Sequence, residues 1–454
     1  MKKLLLVLSL ASLLGTFKAT AQETSLEVYD NAIFYNMYMD GMVSEPVPAG
    51  AQRNHNTSYS KKLTSDQIDT FGDKLTLNVQ AASMCDNYDR IGSVALAFVP
   101  KGSTSYNWKA VRKIELARFI TPFMLPRQSL EVPYTFDITN VLDILHNPAL
   151  TADFDFWVEF QIEGYQGGPG QGGAAEMYPS LCANRQDIYR GSLQFVSSGT
   201  YTAKDTYFKE LSYRYELKNH TLDGTDVIGQ TVKSITFNVD KAIKNVKYYI
   251  ITSNHGSLTK NNQAVGEEYN RRTHYIYNDG VEKLNYKPGG KTCEPFRQYN
   301  TQPNGIYGNS RSLASWVATN NWCPGDVVPI RTADLGALSA GDHTFKINVP
   351  DAVFVDKDGY FPMSVYVQGE YGTLGTDAFS VQNFSISPNP VNDIATITSN
   401  GLTVKNVSVV NTLGQVVLTA KADKVDLSSL QSGVYIVKVL FDNNQTATQK
   451  IIKK

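Results

Sequence analysis

The feature that most constrains the fold of this chain is the strict alternation of apolar and polar residues from Phe154 to Ile162. Every second side chain is apolar, and the positions between them carry acids, a tryptophan and a glutamine. Side chains of a β-strand point alternately to the two faces of a sheet, so this pattern predicts one face in a core and one acidic, aromatic face outside it. Similar alternations at 75–79 and 94–98 predict further strands.

The second half of the chain shows the same strand signals. Apolar residues alternate at 235–239 and again at 246–250, while long runs with helical periodicity are nearly absent. Many short strands separated by turn residues favour β-sandwiches or jelly rolls. At roughly 100–200 residues per domain, the 454 residues allow two to four domains. We therefore predict an all-β protein of several domains.

The N-terminus predicts export. Lys2 and Lys3 precede an apolar stretch at 4–14, and Ala19-Thr20-Ala21 supplies a small-residue cleavage site. This is the pattern of a secretory signal peptide, residues 1–21, and its apolar stretch is too short to span a bilayer. We expect the mature chain to pass through the periplasm to the cell surface or the medium, where disulfides are permitted.

The composition and the motifs disfavour several function classes. Lys and Arg total 42 against 43 acids, so there is no electrostatic basis for nucleic-acid binding. The six histidines lack metal-site spacing and no two cysteines form C-x-x-C, which argues against a metal site. The glycine-rich loop at 164–173 lacks the lysine and hydroxyl residue of a phosphate-binding loop, and no G-x-S-x-G elbow occurs.

The remaining candidates for chemistry are acids among aromatic and polar residues. Asp89 precedes a predicted strand, and Glu268 opens a strand of the second half. Glu159 lies beside Trp157 on the non-core face of its strand. Hydrolysis of an amide or glycosidic bond needs one group to activate water and another to protonate the leaving group, roles that two carboxylates with separated pKa values can divide. Spacing alone does not select these three from the 43 acids, because solvated acids are common.

Four motifs occur in a fixed order along both halves of the chain. They are Cys85-Asp86-Asn87-Tyr88-Asp89-Arg90, Arg118-Phe119-Ile120-Thr121-Pro122-Phe123, Arg272-Thr273-His274, and Trp322-Cys323-Pro324-Gly325 with Val328, Pro329 and Arg331. The peptide-N-glycosidase F family carries C-D-E-W-D-R, R-F-I-T-P-Y, R-T-H and W-C-P-G-x-x-V-P-x-R at these places. From about residue 70 to residue 375 the sequence therefore resembles this family of bacterial amidases, which release whole N-glycans from asparagine.

The resemblance implies a fold and an activity. The family fold is two eight-stranded antiparallel jelly rolls side by side, which places an N-terminal roll at 22–199 and a second roll at 200–378. The implied protein is a secreted amidase that hydrolyses the β-aspartyl-N-acetylglucosamine bond of a glycoprotein or glycopeptide. It releases the intact N-glycan and converts Asn to Asp. The resemblance implies no metal or organic cofactor, and we expect a monomer.

The family's three essential acids carry over to Asp89, Glu159 and Glu268. By resemblance, Asp89 is the principal catalytic acid, which activates water or polarises the amide. Glu268 would hold a bridging water, and Glu159 would bind the sugar or position the site. Arg90, next to Asp89, is expected to lower the pKa of that carboxylate and keep it ionised.

Aromatic residues near these acids are candidates for apolar platforms under sugar rings, and Arg90 is a further candidate for substrate binding. The aromatic candidates are Tyr88, Trp157, Tyr269 and Trp322. Ordinary packing is the alternative for each, since buried aromatic side chains are common. His255 and His274 are candidate hydrogen-bond donors in the cleft, with a structural role as the alternative.

The cysteines depart from the family pattern. The residues that stand where family cysteines stand are Gln80, Gly266 and Asn270. Two short-loop disulfides of the family are therefore missing. The resemblance leaves a loop-closing disulfide between Cys293 and Cys323, and Cys85 and Cys182 remain as a leftover pair.

The composition changes near residue 379. The tail contains Pro388-Asn389-Pro390, the pattern L-x-S-G-x-Y-x-V-x-V at 430–439 and a basic end at 450–454. On pattern alone it is a small Ig-like β-sandwich. Residues 379–454 resemble the C-terminal sorting domain of the type IX (Por) secretion system. The resemblance implies that the type IX secretion machinery is a partner of this chain. Such a domain is an export signal and does not indicate an activity.

Two other functions remain open beside the amidase. A catalytically inactive relative would use the rolls to bind glycans at the cell surface. It is favoured by the missing disulfides and by a missing family arginine, because Thr319 or a neighbour stands in its place and Arg311 is only a candidate substitute. An endoglycosidase would use Asp89 and Glu268 as an acid/base pair, cleave between sugars and leave Asn unchanged. Retention of all three acids favours the amidase.

Overall fold

The structure, a computed structural model, describes residues 23–167, 170, 172–302, 307–371, 384–399, 402–442 and 446–454. The chain divides into two compact units, Met1–Tyr371 and Gly372–Lys454. The predicted signal peptide, residues 1–21, lies outside the described residues. Within the described ranges, no helix is long and apolar enough to cross a membrane.

The first roll is built from strands with a few short helices. Its strands are β1 (Thr24–Tyr35), β2 (Ala51–His55), β3 (Ser58–Lys62), β4 (Lys74–Ser83), β5 (Ile91–Pro100), β6 (Arg112–Ile120), β7 (Val132–Asp137), β8 (Phe154–Ile162) and β9 (Asp187–Ser198). Its helices are α1 (Ser65–Ile68), α2 (Leu142–Leu145), α3 (Pro148–Asp153), α4 (Ala174–Met177) and α5 (Pro179–Cys182), with a 3₁₀ helix at Thr139–Val141. One antiparallel sheet has the order β1-β9-β4-β7, and it faces a second sheet with the order β6-β5-β8-β3-β2.

The second roll follows the same plan. Its strands are β10 (Thr206–Leu217), β11 (Val232–Val239), β12 (Ile243–Thr252), β13 (Thr259–Lys260), β14 (Gln263–Ala264), β15 (His274–Asn278), β16 (Val281–Tyr286), β17 (Val327–Val328), β18 (Arg331–Leu338), β19 (Gly341–Asn348) and β20 (Phe361–Tyr371). Helix α6 spans Leu313–Thr319, and 3₁₀ helices span Leu222–Gly224, Glu294–Tyr299 and Val355–Lys357. Two four-stranded sheets, β10-β20-β12-β18 and β11-β19-β15-β16, enclose a separate core. The predicted pair of jelly rolls is confirmed.

Backbone pairing joins the two rolls. Strand β17, which lies in the second block of the sequence, adds to the edge of β6 in the first roll. Val327 pairs antiparallel with Phe119, and Val328 pairs with Arg118. The sheet of the first roll therefore has six strands, and one of them comes from the second block.

A buried arginine links the rolls through side chains. Arg118 has no exposed surface and forms a two-point ion pair with Glu115 of the same strand. Its Nη1 also donates to Ser253 Oγ at 2.8 Å and to the Pro362 carbonyl at 2.7 Å, both in the second roll. The two contacts with Ser253 and Pro362 form only when the rolls are packed together, so the seam between the rolls is part of the folded core.

Strand β8 has the predicted bounds, but both of its faces are buried. Trp157 and Glu159, predicted to lie outside the core, are 5% and 2% exposed. Tyr106 packs edge-on against Trp157 with ring centres 5.4 Å apart. Lys113 pairs with Glu159 and lies 5.4 Å from the ring of Tyr213 in the second roll. A loop of the first roll, through Tyr106, and Tyr213 of the second roll therefore cover together the face that the alternation assigned to solvent.

The C-terminal unit is the predicted small β-sandwich. Its strands are β21 (Phe384–Ser387), β22 (Ile394–Ser399), β23 (Val404–Val410), β24 (Val416–Ala420), β25 (Lys424–Asp426), β26 (Gly433–Phe441) and β27 (Thr446–Lys453). A three-stranded sheet, β21-β22-β25, and a four-stranded sheet, β24-β23-β26-β27, share one apolar core.

Candidate active site

A cavity of about 530 Å³ opens where loops of both rolls meet. The first roll contributes Tyr88, Asp89 and Tyr165 to its wall, and the second contributes His255, Glu268 and Trp322. A smaller compartment of about 80 Å³ shares Asp89 and Glu268 with it and extends to Arg311 and Trp316. A larger groove of about 890 Å³ lies elsewhere between the rolls and contains none of the three predicted acids.

Two of the three predicted acids meet in this cavity. Asp89 lies on the loop between β4 and β5, and Glu268 lies on the loop between β14 and β15. Both are half-buried. The meeting depends on the packing of the rolls, because each roll supplies one carboxylate.

The two carboxylates have separated pKa values. Burial raises the pKa of Asp89 to about 6, although the charge of Arg90 opposes this shift. Burial also raises the pKa of Glu268 to about 8, and the negative charge of Asp89 is the next cause. Two nearby carboxylates do not readily ionise together, so the pair holds one proton near neutral pH, mainly on Glu268. The cavity thus contains one base and one acid.

Arg90 is held by Asp86 rather than by Asp89. Its Nε donates to Asp86 Oδ2 at 2.7 Å, and its Nη2 donates to Oδ1 at 3.2 Å. Arg90 does act to lower the pKa of Asp89, as predicted, but burial outweighs it and the net shift is upward. The guanidinium lies over the rings of Tyr165 and Tyr88, at 4.8 Å and 5.3 Å from their centres.

Asp86 organises the loops around the cavity, a role that sequence reasoning missed. It is fully buried, and besides Arg90 it accepts the backbone N–H groups of Tyr88 at 2.9 Å and Tyr165 at 2.8 Å. A Cβ on Gly164 would lie 2.5 Å from Asp86 Oδ2, so only glycine lets the loop approach this closely. One carboxylate thereby fixes two loops from distant parts of the sequence.

The loop that carries Glu268 is held by hydrogen bonds where the family pattern has a disulfide. Asn270 Nδ2 donates to the Gly266 carbonyl at 3.0 Å. Asn321 Nδ2 donates to the carbonyls of Asn270, at 3.2 Å, and of Glu268. A Cβ at Gly266 would lie 1.8 Å from the Gly256 carbonyl oxygen, so the loop is packed directly against its neighbour.

Both disulfides named in the sequence analysis are present near the site. Cys85 is bonded to Cys182, which ties the loop that leads to Asp89 to helix α5. Cys293 is bonded to Cys323, and Cys293 lines the smaller compartment. The loops on both sides of the carboxylates are therefore cross-linked.

Three of the four aromatic candidates line the cavity: Tyr88, Tyr269 and Trp322. Trp322 Nε1 donates to the Asn254 carbonyl at 2.9 Å, and its ring stacks on His255 with centres 5.8 Å apart. Burial raises the pKa of Tyr269, with the charge of Glu268 as the next cause, so this phenol stays a neutral donor.

The two candidate histidines differ in position. His255 lines the cavity, and burial lowers its pKa to about 3, so its imidazole is neutral. Its Nε2 lies 2.7 Å from Ser253 Oγ, which also accepts from Arg118. His274 is fully buried and stacks on Tyr286 with ring centres 4.9 Å apart, which is a structural role.

Arg311 places a cation in the wall of the smaller compartment, which Asp89 and Glu268 also line. Its guanidinium carbon lies 4.4 Å from the centre of the Trp316 ring, and its Nε donates to Ser315 Oγ at 3.2 Å. Its backbone N–H donates to Glu294 Oε1 at 2.8 Å, so the start of this segment is anchored.

The structure does not bring Glu159 or Trp157 to the cavity. Glu159 is opposite Ala95 in β5, whereas Asp89 precedes that strand, which puts them roughly 13 Å or more apart along it. Glu159 accepts from Lys113 Nζ at 2.7 Å and from Asn54 Nδ2 at 3.1 Å. Burial raises the pKa of Glu159 although Lys113 opposes this, and the pair forms a closed polar cluster.

Comparison with protein-family models matches three segments of the chain. Residues 25–168 match "Peptide-N-glycosidase F, N terminal", and residues 225–368 match "Peptide-N-glycosidase F, C terminal". Residues 385–454 match "Secretion system C-terminal sorting domain". Comparison with curated protein sequences gives no match.

Solved structures with a similar fold include PNGF-II, which is 18% identical with a TM-score of 0.55 over 77% of this chain and 66% of that chain. The chain thus spans just under two thirds of the length of PNGF-II. PNGase F, a glycosylasparaginase from Flavobacterium meningosepticum, is 16% identical with a TM-score of 0.47, over 78% of this chain and 97% of that chain. The likeness to PNGF-II shows a shared fold.

Proposed function

Because this chain belongs to the peptide-N-glycosidase F family, we propose that it is an amidase that releases N-glycans from asparagine. The observation that carries this proposal is the pair formed by Asp89 and Glu268, whose pKa values are raised to about 6 and about 8 in one cavity. The sorting domain indicates secretion or surface display, and we extend this to passage through the periplasm and the type IX machinery.

In the proposed reaction, ionised Asp89 accepts a proton from water while the water oxygen attacks the side-chain amide carbon of the glycosylated asparagine. Protonated Glu268 then donates its proton to the departing nitrogen as the carbon–nitrogen bond breaks. The products are an aspartate in the peptide and a glycosylamine, which decays in water to the free glycan and ammonia. Oxygen from water thus ends in the new carboxylate.

The other residues of the cavity have supporting roles in this proposal. Arg311 would stabilise the negative charge that develops on the amide oxygen, since it lines the smaller compartment together with both carboxylates. Tyr88, Tyr269 and Trp322 would hold the sugar. Glu159 would stay a structural residue, because its buried ion pair keeps it from the substrate.

The test is hydrolysis of a defined N-glycopeptide by the purified full chain in oxygen-18 water, followed by mass spectrometry. We expect Asn to become Asp with one labelled oxygen, and we expect no product with Asp89→Asn. A peptide that keeps one N-acetylglucosamine would show an endoglycosidase. An unchanged glycopeptide that still binds the protein would show a glycan-binding protein, and either result overturns the proposal.

A further inference from the structure

Tyr38 is exposed and packs against Tyr165, which lines the cavity. It is 69% exposed, and among the exposed large hydrophobic side chains of the described residues it is the one aromatic. Leaving a large apolar ring in water forgoes the free energy that burial would provide. An aromatic ring held in that state next to a cavity is therefore a candidate contact for a ligand.

The position of Tyr38 is fixed by its neighbours. The Met37 backbone N–H donates to the Gly164 carbonyl at 3.0 Å, and the Tyr38 N–H donates to Asn36 Oδ1 at 2.9 Å. The ring of Tyr38 meets the ring of Tyr165 edge-on, with centres 5.2 Å apart. These contacts hold the ring against the loop that Asp86 anchors, so the exposed face is presented in a defined place.

Tyr38 continues a wall of planar groups that begins inside the cavity. Phe123 meets Tyr88 at 5.8 Å between ring centres, and the Arg90 guanidinium lies over the rings of both Tyr88 and Tyr165. Tyr38 is the next member of the series, but it does not line the cavity itself. A ligand that extends past Tyr165 therefore reaches Tyr38, which packs against it.

We propose that Tyr38 is a platform for a sugar unit of the N-glycan beyond the two N-acetylglucosamine units nearest the asparagine. The proposal rests on the proposed function for the identity of the ligand. A cavity of about 530 Å³ is of ligand size, whereas the compartment on the other side of the carboxylates is only about 80 Å³. The bulky glycan therefore takes the larger side, and its outer part passes Tyr38. The apolar face of a pyranose ring packs there on the aromatic ring.

The experiment compares two free glycans, which have no amide bond to cleave. One is the core of two N-acetylglucosamine units, and the other is the five-unit core that adds three mannoses. The affinity of the protein for each glycan is measured by calorimetry. We expect the wild type to bind the five-unit core more tightly. Tyr38→Ala should lower that affinity about three- to tenfold and lower the affinity for the two-unit core less. Tyr38→Trp should retain the preference, and Tyr277→Ala, a half-exposed tyrosine of the second roll, is the matched control.

Each other outcome overturns the platform. An equal loss for both glycans would mean that Tyr38 acts only by supporting Tyr165. No loss for either would mean that the ring is not contacted. Failure of the proposed function shows instead as an absence of Asn-to-Asp conversion and leaves the glycan affinities as they are.

Discussion

The charge of Asp89 acts on Glu268 across the boundary between the two rolls. Burial is the larger cause, and the charge of Asp89 is the next, of the rise in the pKa of Glu268 to about 8. Asp89 belongs to the first roll and Glu268 to the second. The division into a base and an acid is therefore a property of the packed pair of rolls, and neither roll has it alone.

Activity should depend on pH in a bell shape. The rate rises as Asp89 loses its proton, near a pKa of about 6, and falls as Glu268 loses its proton, near a pKa of about 8. Glu268→Gln should remove the alkaline limb and lower kcat about 10²–10⁴-fold. The measurement is kcat/KM on one glycopeptide across this pH range, read as values of the coupled pair. An alkaline limb that persists in Glu268→Gln would contradict the role of Glu268.

The same substitution should stabilise the fold at alkaline pH. The folded pKa of Glu268 is raised, so the folded state keeps a proton that the unfolded state releases. The stability from this group is full below the unfolded pKa of about 4.3 and is lost as pH rises through about 8. The melting temperature of Glu268→Gln, relative to that of the wild type, should therefore rise between about pH 5 and about pH 9. A constant difference would show that Glu268 ionises freely in the fold.

Glu159→Gln should reduce stability rather than alter chemistry. Glu159 and Lys113 are 2% and 3% exposed, so removing one charge leaves the other buried without its partner. We expect a loss of about 3–5 kcal/mol in urea unfolding, and recovery of part of it in the double variant Glu159→Gln/Lys113→Met. The pH dependence of kcat/KM, measured on the protein that remains folded, should match that of the wild type. A large fall in kcat at full stability would place Glu159 on the substrate.

Gly266→Ala should disturb the loop of Glu268. The new Cβ would lie 1.8 Å from the Gly256 carbonyl oxygen, so the backbone has to shift. We expect a stability loss of about 1–3 kcal/mol and a fall in kcat, because the carboxylate moves with its loop. Gly433→Ala is the matched control, since its nearest contact would be 3.8 Å away. Full activity in Gly266→Ala would show that the hydrogen bonds of Asn321 are enough to hold the loop.

The sequence predicts the strands well because their pattern is local. Strand β8 has the bounds that its alternation indicates. The surroundings of Glu159 are not local, since Lys113 of β6 and Tyr213 of β10 complete the cluster around it. Alternation separates the two faces of one strand, but it does not say which face another roll will cover.

The ion pairs of the site also cannot be read from sequence adjacency. Arg90 adjoins Asp89 in the sequence, yet its partner is Asp86, four residues earlier. Adjacent residues along a chain commonly point in different directions, so sequence neighbours are a weak guide to ion pairs. The motif that suggested Asp89 also contained Asp86, but only the three-dimensional contacts give Asp86 its role.

Strand β17 has a consequence for how this protein is produced and how it moves. If the chain were cut between the rolls, β6 would lose Val327 and Val328 as partners and expose an unpaired edge, which is a template for aggregation. The two halves therefore need to be made as one piece. The same strand joins the two rolls by main-chain hydrogen bonds, and a wide hinge motion would break these bonds. In the proposed amidase, a substrate would therefore have to reach the carboxylates without the rolls moving apart.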